Sequence, residues 1–305
     1  MTSVQNDSKK TVSLVLGSGG ARGLAHIGVI RWLIENGYEI RSISGCSMGA
    51  LVGGVYAAGK LDEFEQWVRA INRRDMLTLL DLSWQAGGLV KGDRIIDTLV
   101  DLVGDQNIED LGMQYTAVAA DINEEKEVWI NRGSLFEAIR ASISLPLFFT
   151  PVVKNQMTLI DGGVLNPVPI APTFGDDTDL TIAVNLGATP PPSVPKSEVE
   201  IDESEAEEAG FHQKIDHFLS SLKETFSFDD EPQDQPKPSE ERGMYEVANL
   251  AFDAMQSTIA RQKLAVYPPD VVINISRTAC GMLEFNRASE MIDLGYERAK
   301  AKLGN

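Results

Sequence analysis

Twice near its start the chain runs a short apolar segment into a glycine-rich turn and then into a helical pattern, and that repeat constrains the fold more than any other feature. Thr11–Leu16 (TVSLVL) ends at Gly17, where the turn Gly17–Gly23 (GSGGARG) begins. A run this short and apolar, stopped by glycine, reads as a buried strand entering a tight turn. Leu24, Ile27, Ile30 and Ile34 then recur at helical spacing, and Gly37 stands where a C-cap belongs. Ile40–Ser44 is a second short strand, followed by the turn GCSMG and a helical stretch rich in small residues, ALVGGVYAAG. Strand, turn and helix in succession, twice over, predict a parallel sheet with crossover helices, an α/β architecture. Both turns then fall on the C-terminal edge of that sheet, where α/β proteins place their ligands.

The rest of the chain continues the pattern. Leu61–Leu111 is mostly helical in pattern and is expected to cap one side of the sheet. Strands are predicted at Tyr115–Ala120, Glu127–Ile130, Met157–Ile160, Leu180–Leu186 and Val271–Ser276. Helices are predicted at Leu135–Ile143, which stops ahead of Pro146, and at Met244–Leu264 and Ala288–Leu303. Between Pro190 and Arg242 the composition turns Pro-rich and acidic, and about half of the net charge of −18 is concentrated there. We expect one domain over residues 10–303, with residues 190–243 as a flexible, solvated insertion. Within it Phe211, Ile215, Phe218, Leu219, Leu222 and Phe226 line one face of a short amphipathic helix, residues 211–226. That face is open to several uses: packing on its own domain, walling a substrate groove, acting as a lid, or joining two copies in a homodimer.

Charge and composition exclude some function classes. A net charge of −18 argues against a nucleic-acid partner and against electrostatic docking on anionic lipid. The polar N-terminus (MTSVQNDSKK) has no apolar core of a signal peptide, and no apolar run reaches a membrane-spanning length. Two cysteines, Cys46 and Cys280, make no disulfide framework, so a cytoplasmic setting is the simplest expectation.

Three glycine-containing motifs carry the chemistry. Gly45-Cys46-Ser47-Met48-Gly49 has the form G-x-S-x-G on a strand-to-helix turn. The small residues let the backbone turn sharply and hold the Ser47 hydroxyl at a helix N-terminus, where free N–H groups, that of Met48 among them, face a developing oxyanion. The first turn, with Gly17, Gly19, Gly20, Arg22 and Gly23, has two readings. As a dinucleotide fingerprint, G-x-G-x-x-G, it fits imperfectly, because Arg22 occupies the third glycine position and no acidic residue closes a second strand. As an oxyanion hole, its unhindered glycine N–H groups converge on a carbonyl oxygen. Asp161-Gly162-Gly163 follows the strand MTLI and places an acid at that same sheet edge. Taken alone it reads equally as an Asp-Gly turn.

Histidine then discriminates among serine hydrolases. The chain holds only His26, His212 and His217. His212 and His217 fall in the acidic insertion, and His26, one turn into the first helix, suits a structural role. With no well-placed histidine, Asp161 is the remaining candidate to take the proton of Ser47.

The three motifs together, in this order, resemble the patatin-like phospholipases. Gly133–Val152 (GSLFEAIRASISLPLFFTPV) is similar to that family's block leading into the strand before its acid, and Gly88–Ile95 (GLVKGDRI) is similar to the bacterial subgroup akin to neuropathy target esterase. Ser18 departs from the all-glycine form of the first turn. The resemblance implies a three-layer αβα fold with a mostly parallel sheet and a helical cap. It implies a Ser47–Asp161 dyad, an oxyanion hole of Gly19, Gly20, Arg22 and Met48, no metal and no cofactor. The implied substrate is a phospholipid, lysophospholipid or simpler acyl ester, met in the cytoplasm or in transient contact with a membrane surface. Two other readings stay open: a nucleotide-binding protein that uses the first turn, and a catalytically silent regulatory member of the same fold.

Overall fold

The computed structural model describes residues 9–71, 93–146, 148–189 and 244–304. Eight strands form one sheet: β1 (Thr11–Leu16), β2 (Glu39–Cys46), β3 (Gln114–Asp121), β4 (Lys126–Ile130), β5 (Val152–Lys154), β6 (Met157–Asp161), β7 (Leu180–Ala188) and β8 (Val271–Ser276). Their order is β5-β6-β3-β2-β1-β7-β8, with β4 paired to β3 off that path. The pairs joining β3, β2, β1, β7 and β8 are parallel, whereas β4, β5 and β6 add antiparallel pairs. The sheet is mixed and mostly parallel, as the strand–turn–helix repeats predict.

Helices cover both faces, which is why the central strands are buried along most of their length rather than at alternate residues. On β1, Val12, Leu14 and Leu16 join the main core, and Val15 faces a second core on the opposite side. The main core takes in α1 (Ala25–Glu35), α2 (Met48–Ala57), α3 (Leu61–Ala70), α4 (Asp93–Val103), α5 (Leu135–Ser142) and α7 (Ala288–Leu303). On the other face Ala260 of α6 (Met244–Val266) meets Val15, Val168, Ile170 and Ala183. Of the predicted cap, α3 and α4 lie against the main core through Leu61, Phe64, Val68, Leu99 and Val103; residues 72–92 lie outside the described residues.

Two details of the first helix differ from the periodic pattern. Its first turn, Gly20–Leu24, is a 3-10 turn, and α1 proper begins at Ala25. Leu24, Ile27 and Ile30 are buried, but Ile34 is 43% exposed, because the helix runs out past the core in its last turn. Gly37 adopts φ 79°, the left-handed conformation that ends a helix. The chain divides into two compact units, residues 1–190 with 253–305, and residues 191–252. The amphipathic stretch 211–226 lies outside the described residues. Among the described residues no helix is long and apolar enough to cross a membrane.

Candidate active site

The position of Ser47 follows from strand register. β2 pairs with β3 from Gln114 to Val118, and β6 pairs with it from Ala119 to Asp121. β4 pairs across both stretches, from Ala117 to Asp121, and so occupies the other flank of β3. β2 and β6 therefore share one flank and meet head to head, with Cys46 level with Val118 and Asp161 level with Ala119. Ser47 is the residue that follows β2, and Asp161 is the last residue of β6. Asp161 stands at the predicted sheet edge, but not as the end of one more parallel strand. β3 overhangs the edge, and β6 returns antiparallel along the overhang.

The first glycine turn completes the cluster. Leu16 pairs with Gly45, so the turn that leaves β1 adjoins the turn that leaves β2. Gly49 makes that approach feasible, since a Cβ there would lie 2.0 Å from the Leu16 carbonyl oxygen. The Asp161 segment docks as closely, because a Cβ on Gly163 would lie 2.6 Å from Ser18 Oγ. Gly17 N donates to the Val184 carbonyl, Ser18 N to that of Pro167 and Ala21 N to that of Met282. The amides of Gly19 and Gly20 take no part in these bonds. Gly20 and Met48 line the same cavity as Ser47.

Ser47 carries the strain expected of a nucleophile elbow. It adopts φ 56° and ψ −123°, in the positive-φ half of conformational space where a side chain costs of order 1–3 kcal/mol. Asp161 is 1% exposed, and Gly163 N donates to its Oδ1 at 2.7 Å while the Cys46 thiol lies 3.8 Å from the same oxygen. Asp161 Oδ2 is buried and accepts no hydrogen bond. Burial pushes the Asp161 carboxyl up to about 6, against the opposing influence of the Ser47 side chain, the Gly163 amide and the Cys46 thiol. The carboxylate is thus a better base than an exposed aspartate, and one of its oxygens is uncommitted.

Ser47 opens onto an apolar cavity of about 110 Å³. Leu51 of α2, Phe64, Trp67 and Val68 of α3, Ile95 and Leu99 of α4, Leu145, Phe148 and Phe149 after α5, and Met282, Leu283 and Phe285 after β8 contribute to its walls. Among the described lining residues, Ser47 carries the only hydroxyl.

Arg22, expected beside the oxyanion hole, is committed to partners within the fold. Its guanidinium is 3% exposed, donates to both carboxylate oxygens of Asp253 on α6 at 2.7 and 3.2 Å, and also bonds the Gly19 and Arg277 carbonyls. All three guanidinium nitrogens have protein partners, which ties the turn to α6 and to the segment after β8. His26 is likewise structural. It is fully buried, bonds the Gly17 carbonyl at 2.8 Å through Nε2, and burial lowers it to about 4, so the neutral ring donates. His212 and His217 lie outside the described residues. Both cysteines are free and buried, and burial pushes Cys280 up to about 12.

Sequence reasoning missed Ser142. Its hydroxyl accepts from Ser47 N at 2.9 Å and donates to the Val118 carbonyl at 2.7 Å. A lone serine near the end of a predicted helix carries no signal of such a role.

Comparison with known proteins identifies the family. Residues 14–174 match the family model described as patatin-like phospholipase. The chain is 39% identical to an uncharacterised NTE family protein of Mycobacterium tuberculosis, over 98% of this chain and 93% of that one. It is 32% identical to lysophospholipase NTE1 of Saccharomyces cerevisiae, covering 59% of this chain and 11% of that protein. It is also 32% identical to patatin-like phospholipase domain-containing protein 7 of Mus musculus, over 58% of this chain and 14% of the mouse protein. A family match that spans both glycine turns and the Asp161 segment, with a near full-length relative beside it, makes the chain a member of the patatin-like phospholipase family.

Proposed function

We propose that the protein is a serine-type lipid acyl hydrolase in which Ser47 is the nucleophile and Asp161 its base. The observation that carries this reading is the head-to-head register of β2 and β6, which brings a strained serine to a buried carboxylate with one unpartnered oxygen. Asp161 Oδ2 takes the proton as Ser47 Oγ bonds to the ester carbonyl carbon. The amides of Gly19, Gly20 and Met48 stabilise the resulting oxyanion. The carbonyl re-forms, the carbon–oxygen bond to the alcohol breaks, and the leaving alkoxide takes the proton from Asp161. Water then enters, gives a proton to Asp161 and attacks the acyl carbonyl carbon; the carbon–oxygen bond to Ser47 breaks, Ser47 Oγ takes the proton back from Asp161, and the fatty acid leaves.

The cavity walls support an acyl chain as the bound group, and they speak against a nucleotide, which needs polar partners along its length. The names of the yeast and mouse relatives point to lysophospholipids and phospholipids as the esters to try first. Ser47→Ala and Asp161→Asn should each lower turnover of p-nitrophenyl butyrate by at least about 1,000-fold while the protein stays folded. Ser47→Ala should also abolish labelling by a fluorophosphonate probe. Near-wild-type turnover by either variant would sink the assignment, and so would persistent labelling of Ser47→Ala.

A further inference from the structure

We infer that Ser142 is a positioning residue for the nucleophile, and that the end of α5 is a clamp holding Ser47 and Asp161 in register. The inference rests on the Ser47–Asp161 reading above. Ser142 is the last residue of α5 and has no exposed surface. Its hydroxyl works in both senses: it accepts from Ser47 N at 2.9 Å and donates to the Val118 carbonyl at 2.7 Å. Val118 is the β3 residue that pairs with Cys46, so one hydroxyl ties the end of β2 to the neighbouring strand and to the end of α5. Two residues on, the Ser144 carbonyl accepts from Asp161 N at 3.0 Å. Ser144 is itself held by α5, with its hydroxyl donating to the Arg140 carbonyl at 2.7 Å and accepting from the Arg140 guanidinium at 2.6 Å. One short segment therefore grips the backbone amides of both residues.

The grip on Ser47 matters because of its backbone. At φ 56° the amide of Ser47 sits in a conformation that a non-glycine residue leaves readily unless its surroundings fix it. The Ser47 N–H direction and φ together set the direction of Cβ, from which Oγ projects. Without the Ser142 hydroxyl, a buried donor and a buried acceptor both lose their partner, and the turn gains a reason to rotate. Oγ would then swing relative to Asp161 Oδ2 and the cavity, whereas the apolar walls that bind the acyl chain would be untouched.

The test compares Ser142→Ala and the near-isosteric Ser142→Cys with the wild type, each first shown to be folded at the assay temperature by circular dichroism and thermal melting. In Ser142→Ala, fluorophosphonate labelling of Ser47 and kcat should fall together by about 10- to 100-fold, with KM for p-nitrophenyl butyrate held within about 3-fold. Ser142→Cys, which keeps a weak donor and acceptor, should fall between the two. A folded Ser142→Ala that labels and turns over within about 2-fold of wild type overturns the inference, even if its melting temperature drops, since that is a merely structural role. If Ser142→Ala does not fold, Ser142→Cys decides: slowed labelling supports the clamp and wild-type labelling overturns it. Activity of Ser47→Ala or Asp161→Asn tests the dyad separately, so the two failures are distinguishable.

Discussion

At the scale of single residues, Asp161 ties function to stability. As the base it must be ionised, so kcat/KM should rise with pH through an apparent value near 6 and flatten above it, which a pH–rate profile on a neutral ester would read. The same burial makes ionisation costly to the fold. The carboxyl titrates near 3.8 when unfolded and near 6 when folded, so its stabilising contribution is complete below the lower value and lost as pH rises through the upper one. At about 1.36 kcal/mol per unit, the loss amounts to ~3 kcal/mol. Asp161→Asn, which never ionises, should therefore resist urea better than wild type at about pH 8, with the advantage vanishing towards about pH 4. His26 acts in the opposite sense. Its folded value near 4 lies below the usual 6.5, so its contribution is present above 6.5 and lost as pH falls towards 4.

At the scale of elements, the packing of α1 on α7 is the most exacting contact among the helices of the main core. A Cβ on Gly28 would lie 1.8 Å from the Ile292 carbonyl oxygen, so no rotamer change relieves the clash. Gly28→Ala should cost about 3 kcal/mol or more, since the helices must separate to admit the methyl, and equilibrium urea unfolding would show it. Strands and helices such as Val271–Ser276 and Ala288–Leu303 were legible from apolar runs and helical spacing, because burial imposes those patterns on sequence directly. The direction of β6 was not legible. The run MTLI reads the same in a parallel or an antiparallel pairing, and the overhang of β3 that decides between them is a fact of register. The three-residue β5 is too short to show a period, and it went unseen. Of the site, the types and order of Ser47, Asp161 and the glycines were readable because backbone geometry demands them. The partners of Arg22 were not: Asp253 and Arg277 lie more than two hundred residues away, and nothing local marks the pairing.

At the scale of the whole molecule, charge and cavity set what the protein can meet. With a net charge of −18, it should sediment no better with anionic than with zwitterionic vesicles, whatever apolar contact it makes. Acyl-chain preference should reside in the apolar walls. Leu283→Trp, at a half-buried lining position, should lower kcat/KM for long p-nitrophenyl esters at least about 10-fold more than for the acetate. An unchanged ratio would place the chain elsewhere.

The shared flank of β3 has one more consequence. Cys46, the residue before Ser47, and Asp161 come from distant parts of the sequence, yet they pair with neighbouring residues of one strand. β3 works as a ruler, and the positions against which Cys46 and Asp161 pair lie a single peptide step of about 3.3 Å apart. A ruler of this kind has no intermediate settings: a slip changes the spacing by a whole residue and sends every side chain to the other face. Evolution or ligand binding cannot tune the pair by hinging one half away from the other. Adjustment has to come from outside the ruler, through what is admitted to the cavity and how far the Ser47 turn is held at the strand's end.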